Sequence, residues 1–337
     1  MTSSERLISV EDSEGWSAAL EGVQHSFAFS WECCRAIQAT NNLPTYLYCY
    51  EDEGARVVCP FSERMCDGLV DIYTPYGVSG FAANGRSPSF ADAWRNFCRV
   101  RGYVCSYLAL HPRFDEALHH EASHPGNPLY FLDVRLGADD LLRRMERGRR
   151  RSIKRWQTSG GTLSTDRDRL AAFLVRHYGS FMHRVGASAV NFLTPATLQM
   201  FCQSPQVEIM GAVEGNEVVA VHAYAHTRWD AESLLLLALP EGRTFMTALI
   251  WTAVEGCMAR GIPSFNLGGG VQHDDAIAFS KKLWGGEQLP FRRLKEVYRE
   301  PEYMKLCQAV GADPTDRSEY FPAYRAGSRF IVSAVEP

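Results

Sequence analysis

The chain is 337 residues long, 46% apolar and 22% charged, with a formal net charge of -4 at pH 7. That length points to two compact domains, and the composition excludes extended disorder. The charge excludes a generally basic nucleic-acid coat and leaves room for a local basic patch. Ten cysteines make no C-x-x-C pair for zinc or redox work, and no run reaches the roughly 18 apolar residues of a membrane span. Met1-Thr2-Ser3-Ser4-Glu5-Arg6 lacks the apolar core of a signal peptide, so a reduced, cytoplasmic protein with structural thiols is expected.

In chain order, residues 31–39 read as a helix. Residues 45–50 and 56–61 alternate as paired strands across the turn at 51–55, and 90–101 form an amphipathic helix. Asp71-Ile72-Tyr73-Thr74-Pro75-Tyr76-Gly77-Val78-Ser79-Gly80 reads as a strand running into a Pro-Tyr-Gly turn. Its two tyrosines, Tyr73 and Tyr76, offer hydroxyls and stacking faces; the competing reading is an aromatic loop packed on the core. Residues 104–110 and 129–134 follow as strands. His119-His120 with Glu116 or Glu121 could mimic a metal cluster, but a solvated helix end accounts for them better, and no metal is expected.

Residues 138–158 and 166–185 read as helices. In the first, Arg147, Arg150, Arg151, Lys154 and Arg155 fall at i, i+3, i+4, i+7 and i+8 and share a face, with Leu142, Arg149, Ile153 and Trp156 on the other side. Such a stripe repels itself and favours an anionic partner. Phosphate is the obvious one, since the guanidinium fork binds it with two hydrogen bonds. The alternative is a solvated face relieved by Glu146.

Residues 207–213 and 217–227 read as a hairpin over Glu214-Gly215-Asn216, and 233–238 continues the meander. Alternation puts His222, Tyr224 and His226 on one face, opposite Val219, Val221, Ala223 and Ala225. His222 is a candidate proton acceptor and Tyr224 a candidate substrate contact; otherwise these are polar residues facing solvent or the other domain. A helix over 244–260 ends at Gly261 and Pro263, and 264–267 returns as a strand into a glycine run. Nucleotide-binding, hydrolase and zinc-protease signatures do not occur.

That strand opens the most informative stretch, Asn266-Leu267-Gly268-Gly269-Gly270, followed by Phe279-Ser280-Lys281-Lys282-Leu283-Trp284-Gly285-Gly286. Glycines without a Cβ let backbone approach a ligand, and two lysines stand beside them, as acyl or phosphate chemistry needs. The same residues also suit a strand, turn and helix with solvated lysines.

The stretch resembles the C-terminal signature of the Fem-like (FemABX) branch of the GNAT superfamily, a glycine-ended strand followed by Phe-Lys-x-x-aromatic-Gly. Counting back from Trp284-Gly285 places the family lysine on Lys281, with Lys282 as the alternative, because Ser280 stands where phenylalanine is usual. The Pro-Tyr-Gly loop and the basic helix resemble features of the same family. The resemblance implies an α/β protein of two tandem GNAT-like domains, residues 1–136 and 137–337, with mixed, mostly antiparallel sheets and a cleft between them. It implies transfer of an aminoacyl group from aminoacyl-tRNA to an amine acceptor, with tRNA as co-substrate and no cofactor. Lys281 or Lys282 would stabilise the oxyanion. Tyr73, Tyr76, Tyr224, Asn266, Gly268, Gly269 and Trp284 would contact substrate, and Arg147, Arg150, Arg151, Lys154 and Arg155 would hold tRNA phosphates or a phosphorylated acceptor.

No long charged helical hairpin of the kind found in peptidoglycan-building members occurs, which favours a small natural-product intermediate as acceptor. Arg243-Thr244-Phe245-Met246-Thr247-Ala248 matches the pyrophosphate turn of CoA-using GNAT enzymes except that Met246 replaces its glycine, which crowds such a seat. Two rivals follow, an acyl-CoA- or carrier-protein-dependent N-acyltransferase and a non-catalytic RNA-binding protein.

Overall fold

The computed structural model describes residues 3–114, 123–158, 162–317 and 320–326. In chain order the first elements are β1 (Ser4–Ser9), α1 (Ser13–Leu20), α2 (Trp31–Asn41), β2 (Thr45–Asp52), β3 (Ala55–Cys66), β4 (Leu69–Tyr73), β5 (Ala82–Ala83), α3 (Phe90–Val100), β6 (Cys105–Leu110) and β7 (Ser123–Pro125). The middle of the chain gives β8 (Leu129–Asp133), α4 (Gly137–Arg144), α5 (Arg147–Thr158), β9 (Thr162–Ser164), α6 (Arg167–Arg184) and α7 (Pro195–Gln203). It continues through β10 (Val207–Glu214), β11 (Glu217–His226), β12 (Ala231–Ala238), α8 (Met246–Ala259), β13 (Ser264–Gly269), α9 (Ala276–Lys282) and β14 (Glu287–Leu289). Last come β15 (Arg292–Val297) and α10 (Glu300–Ala309).

The chain divides into two compact units, Met1–Gly126 with Phe291–Pro337, and Asn127–Pro290. Each holds one sheet. In the first unit the described strands run β1-β2-β3-β4-β6-β15-β7, with β5 beside β3. All of these pairings are antiparallel except β4 with β6. In the second unit the order is β14-β8-β13-β12-β11-β10-β9, parallel only at β12–β13. The expected class of two α/β units with mixed, mostly antiparallel sheets therefore holds.

Local chemistry explains the elements that sequence made visible. The β10–β11 hairpin turns where Gly215 takes a positive φ, and Asn42 closes α2 in the left-handed region. The single helix expected over 138–158 is broken into α4 and α5. Met145 is extended, and the Glu146 carboxylate accepts from the amides of Gly148 (2.6 Å) and Arg149 (3.1 Å), which starts α5 afresh. Trp16, Trp94 and Phe61 anchor the core of the first unit. All ten cysteines are free thiols, and every one but Cys66 is buried.

One strand falls in a different unit from the sequence reading, and one that the reading lacked completes the first sheet. Leu129–Asp133 does not end the first sheet; it pairs with β13 and β14 in the second. Its first four residues are buried, as a strand covered on both faces must be. The place beside β6 goes instead to β15, which comes from far downstream. The boundary expected at residue 136 therefore lies within the second unit, between β8 and α4.

The second core forms where Phe265 and Leu267 of β13 meet Leu249 and Val254 of α8, Ile153 of α5, Ala278 of α9 and Trp284. Burying the Phe, Leu, Val and Ile side chains among these contributes on the order of 1.5–3 kcal/mol each. It also fixes α5, α8 and α9 around one end of β13.

Candidate functional site

β13 carries the glycine run. It is held by β12 on one side through only two residue pairs, Ala231↔Phe265 and Glu232↔Asn266, and by β8 on the other. Against β8 the register shifts between Asn266 and Gly268. The buried Asn266 side chain spans that bulge, its Oδ1 accepting from the Gly268 amide at 2.7 Å. Gly268 needs its missing side chain twice over: its φ is +77°, and a Cβ there would stand 2.9 Å from the Lys281 Nζ.

Lys281 reaches this strand end from α9. Asp275 caps that helix by accepting from the Ala278 amide at 2.7 Å, and it also holds the amides of Val271 (2.7 Å) and Gln272 (2.9 Å). The Lys281 ammonium donates to the Gly269 carbonyl at 2.6 Å. Burial lowers its pKa to about 8, with Asp275 opposing the shift. Lys282, one residue on, is exposed. The two lysines that sequence left open are thus distinguished by direction, and Lys281 is the one turned to the glycines. Gly285 then turns the chain at φ +70°, where a Cβ would meet the Arg144 carbonyl oxygen at 2.3 Å. The Glu146 amide donates to the Leu283 carbonyl at 2.9 Å, tying α9 to the start of α5.

Arg147, Arg150, Arg151, Lys154 and Arg155 are all exposed along α5, while Ile153 is buried and Trp156 packs edge-on to Phe245 at 5.4 Å. The shared basic face read from the 3.6-residue period is present. The carboxylate nearest in sequence, Glu146, is occupied by backbone amides, which depress its pKa. Trp284 lies in the core, 2% exposed, so its surroundings are other side chains.

His222 and Tyr224 are brought together but turned away from solvent. His222 is 0% exposed, with Nε2 3.0 Å from Ser233 Oγ and Nδ1 3.4 Å from the Leu249 carbonyl oxygen. Burial pushes its pKa down to about 4, so it is neutral at physiological pH. The Tyr224 hydroxyl lies under α8, where a Cβ on Gly256 would approach it to 2.6 Å. Both pack against Phe265, on the face that α8 covers.

Tyr73 and Tyr76 belong to the first unit. Tyr73 is half-buried, its hydroxyl accepting from Asn41 Nδ2 at 3.1 Å and its ring lying 4.2 Å from the Arg64 guanidinium. Tyr76 is half-buried as well. The His119-His120 group with Glu116 and Glu121 lies outside the described residues. Among the described residues no group of three metal-ligating side chains forms, and no helix is long and apolar enough to cross a membrane.

Sequence reasoning passed over Glu232. Beside Asn266 in the β12–β13 pairing, its carboxyl is pushed up to about 8 by burial and by Asp230. Its Oε1 is buried with no hydrogen-bond partner among the described residues. Only the strand pairing brings it next to the glycine strand, so no sequence motif could have marked it.

No protein-family model matches the sequence, and no curated protein does. Solved structures match it in fold. FemX superposes with a TM-score of 0.65 at 10% identity, over 90% of this chain and 99% of its own. A conserved protein from Bacteroides thetaiotaomicron gives 0.59 at 9% identity, over 88% and 100%. L-PGS from Bacillus licheniformis gives 0.55 at 14%, over 85% and 91%. The Fem-like resemblance read from the C-terminal signature, the Pro-Tyr-Gly loop and the basic helix is thus matched by a fold shared with FemX over 90% of the chain.

Proposed function

We propose that this FemX-fold chain is an acyltransferase that moves an aminoacyl group from aminoacyl-tRNA to an amine acceptor. The observation that carries the reading is Lys281, an ammonium drawn out of water and held against the Gly269 carbonyl at the glycine-built end of β13. A desolvated cation beside open backbone is equipped to stabilise an oxyanion.

In this reading the acceptor nitrogen attacks the ester carbonyl of the donor. The C–N bond forms, Lys281 stabilises the tetrahedral oxyanion, and collapse breaks the C–O bond. The tRNA leaves through its terminal hydroxyl, which takes up the proton lost by the amine. The ester is already activated, so the chain's work is placement and charge stabilisation. The exposed basic face of α5 supplies five cations for the donor's phosphates. The start of α8 supports this donor over CoA: Trp156 packs on Phe245, Met246 stands where close backbone approach would need glycine, and Arg149 engages Thr247.

The test is product mass spectrometry with a charged tRNA pool and a panel of small primary amines, then with acyl-CoA. Amide formation that needs charged tRNA and stops with ribonuclease is the expected result. Amide formation that survives ribonuclease and depends on CoA would sink the donor assignment. Retained RNA binding without turnover of any donor would favour a binding protein.

A further inference from the structure

Arg149 is the arginine of α5 that is partly withdrawn from water. Its Nη2 donates to both the carbonyl oxygen and the Oγ of Ser280, each at 2.6 Å, and its Nη1 to Thr247 Oγ1 at 3.1 Å. The guanidinium lies 5.0 Å from the centroid of the Trp284 ring. It is half-buried, and that burial lowers its pKa; the opposing charge is Glu146, whose carboxylate is already bound by backbone amides. Partly desolvating an arginine that has no salt bridge among the described residues costs stability, so its placement calls for a reason. Its ligands supply one, because they bracket Lys281: Ser280 precedes it, and Trp284 stands one helical turn after it.

We propose that Arg149 is a positioning residue for Lys281, clamping the last turn of α9 so that the ammonium stays on the Gly269 carbonyl. The inference deepens the functional reading above, since it concerns the same lysine. α9 has only seven residues, too few to hold its own end rigidly. Asp275 secures the first turn; Arg149 secures the last, from a helix anchored in the core by Ile153. The planar fork suits this task, since one guanidinium satisfies a carbonyl and two hydroxyls while its face lies on an indole. Ser280 now has an explanation. Where the Fem-like pattern has phenylalanine, this chain has a hydroxyl, and Arg149 is the residue that uses it.

The experiment is competitive acetylation of the intact protein across pH, read at Lys281 by peptide mass spectrometry with exposed Lys305 as internal reference. The labelling midpoint of Lys281 is expected at about pH 8 in the wild type. It is expected to move up toward the ordinary lysine range in Arg149→Gln, and by less in Arg149→Lys. With charged tRNA and a primary amine, Arg149→Gln is expected to lower kcat by about 10- to 100-fold with KM for the tRNA within about twofold, as misplacement of a reacting group does.

An unchanged Lys281 midpoint in Arg149→Gln overturns the proposal. So does a raised KM with unchanged kcat, which would make Arg149 a phosphate ligand. If Arg149→Gln does not fold, Ser280→Ala removes one of the clamp's bonds and carries the same comparison. Labelling needs no substrate, so absence of turnover in the wild type would sink the functional reading alone.

Discussion

The two faces of α5 put the same chemistry to opposite uses. Outward, five cations stay in water and keep their charges available to a partner. Inward, Arg149 is drawn partly out of water and spends its donors on Ser280 and Thr247. The division recurs through the second unit: Lys281 turns in and Lys282 out. A cation left in water acts by attraction at a distance and is weakened by salt. One drawn in acts by where it stands, and its proton affinity changes as a result.

The largest effect expected from this division is at Lys281. Lys281→Ala should lower kcat by about 10²–10³-fold, as loss of an oxyanion donor does. With the ammonium in its proposed role, the wild-type rate should also fall above pH 8 or so, since its pKa is lowered to about 8. A pH–rate profile of both proteins checks this, and a wild-type rate flat to pH 10 would remove the lysine from the mechanism.

His222 tests burial through stability. Its pKa falls from 6.5 to about 4 on folding, so the unfolded chain takes the proton first. Stability is full above pH 6.5 and is lost as pH falls toward 4, by about 3 kcal/mol for this one group. Denaturant titrations over that range should show the slope in the wild type and lose it in His222→Gln.

The outward face should respond to salt instead. Alanine at both Arg150 and Lys154 should weaken binding of charged tRNA. The slope of log affinity against log salt should fall by roughly 1.4–1.8, at about 0.7–0.9 for each phosphate no longer neutralised. An unaltered slope would leave that face merely solvated. The smallest effect belongs to Lys282→Ala, expected to change kcat by less than about twofold. A decrease matching that of Lys281→Ala would erase the distinction between the two lysines.

Much of this was legible in the chain. The β10–β11 hairpin followed from alternation and a Gly-Asn turn, and the basic face of α5 from the helical period, because both patterns are local. The partner of a strand is not local. Residues 129–134 read correctly as a strand, yet nothing in them says which sheet they join. β15 is Arg292-Arg293-Leu294-Lys295-Glu296-Val297, too polar to announce a strand, although Leu294, Lys295 and Glu296 are buried in place. In the site, which of Lys281 and Lys282 faces the glycines turns on one residue of phase at the end of a short helix. Arg149 could be placed on the inward face from spacing, but the link to Ser280, 131 positions away, exists only in the fold.

The place of β15 between β6 and β7 bears on how the molecule comes off the ribosome. Synthesis reaches residue 126 with the outer edge of β6 still bare, and a bare edge invites wrong partners. Residues 127–290 then emerge as a continuous stretch able to finish their own sheet. The part of the protein begun first is thus the part completed last, and a chain cut short after residue 290 would carry a finished second half and an unfinished first.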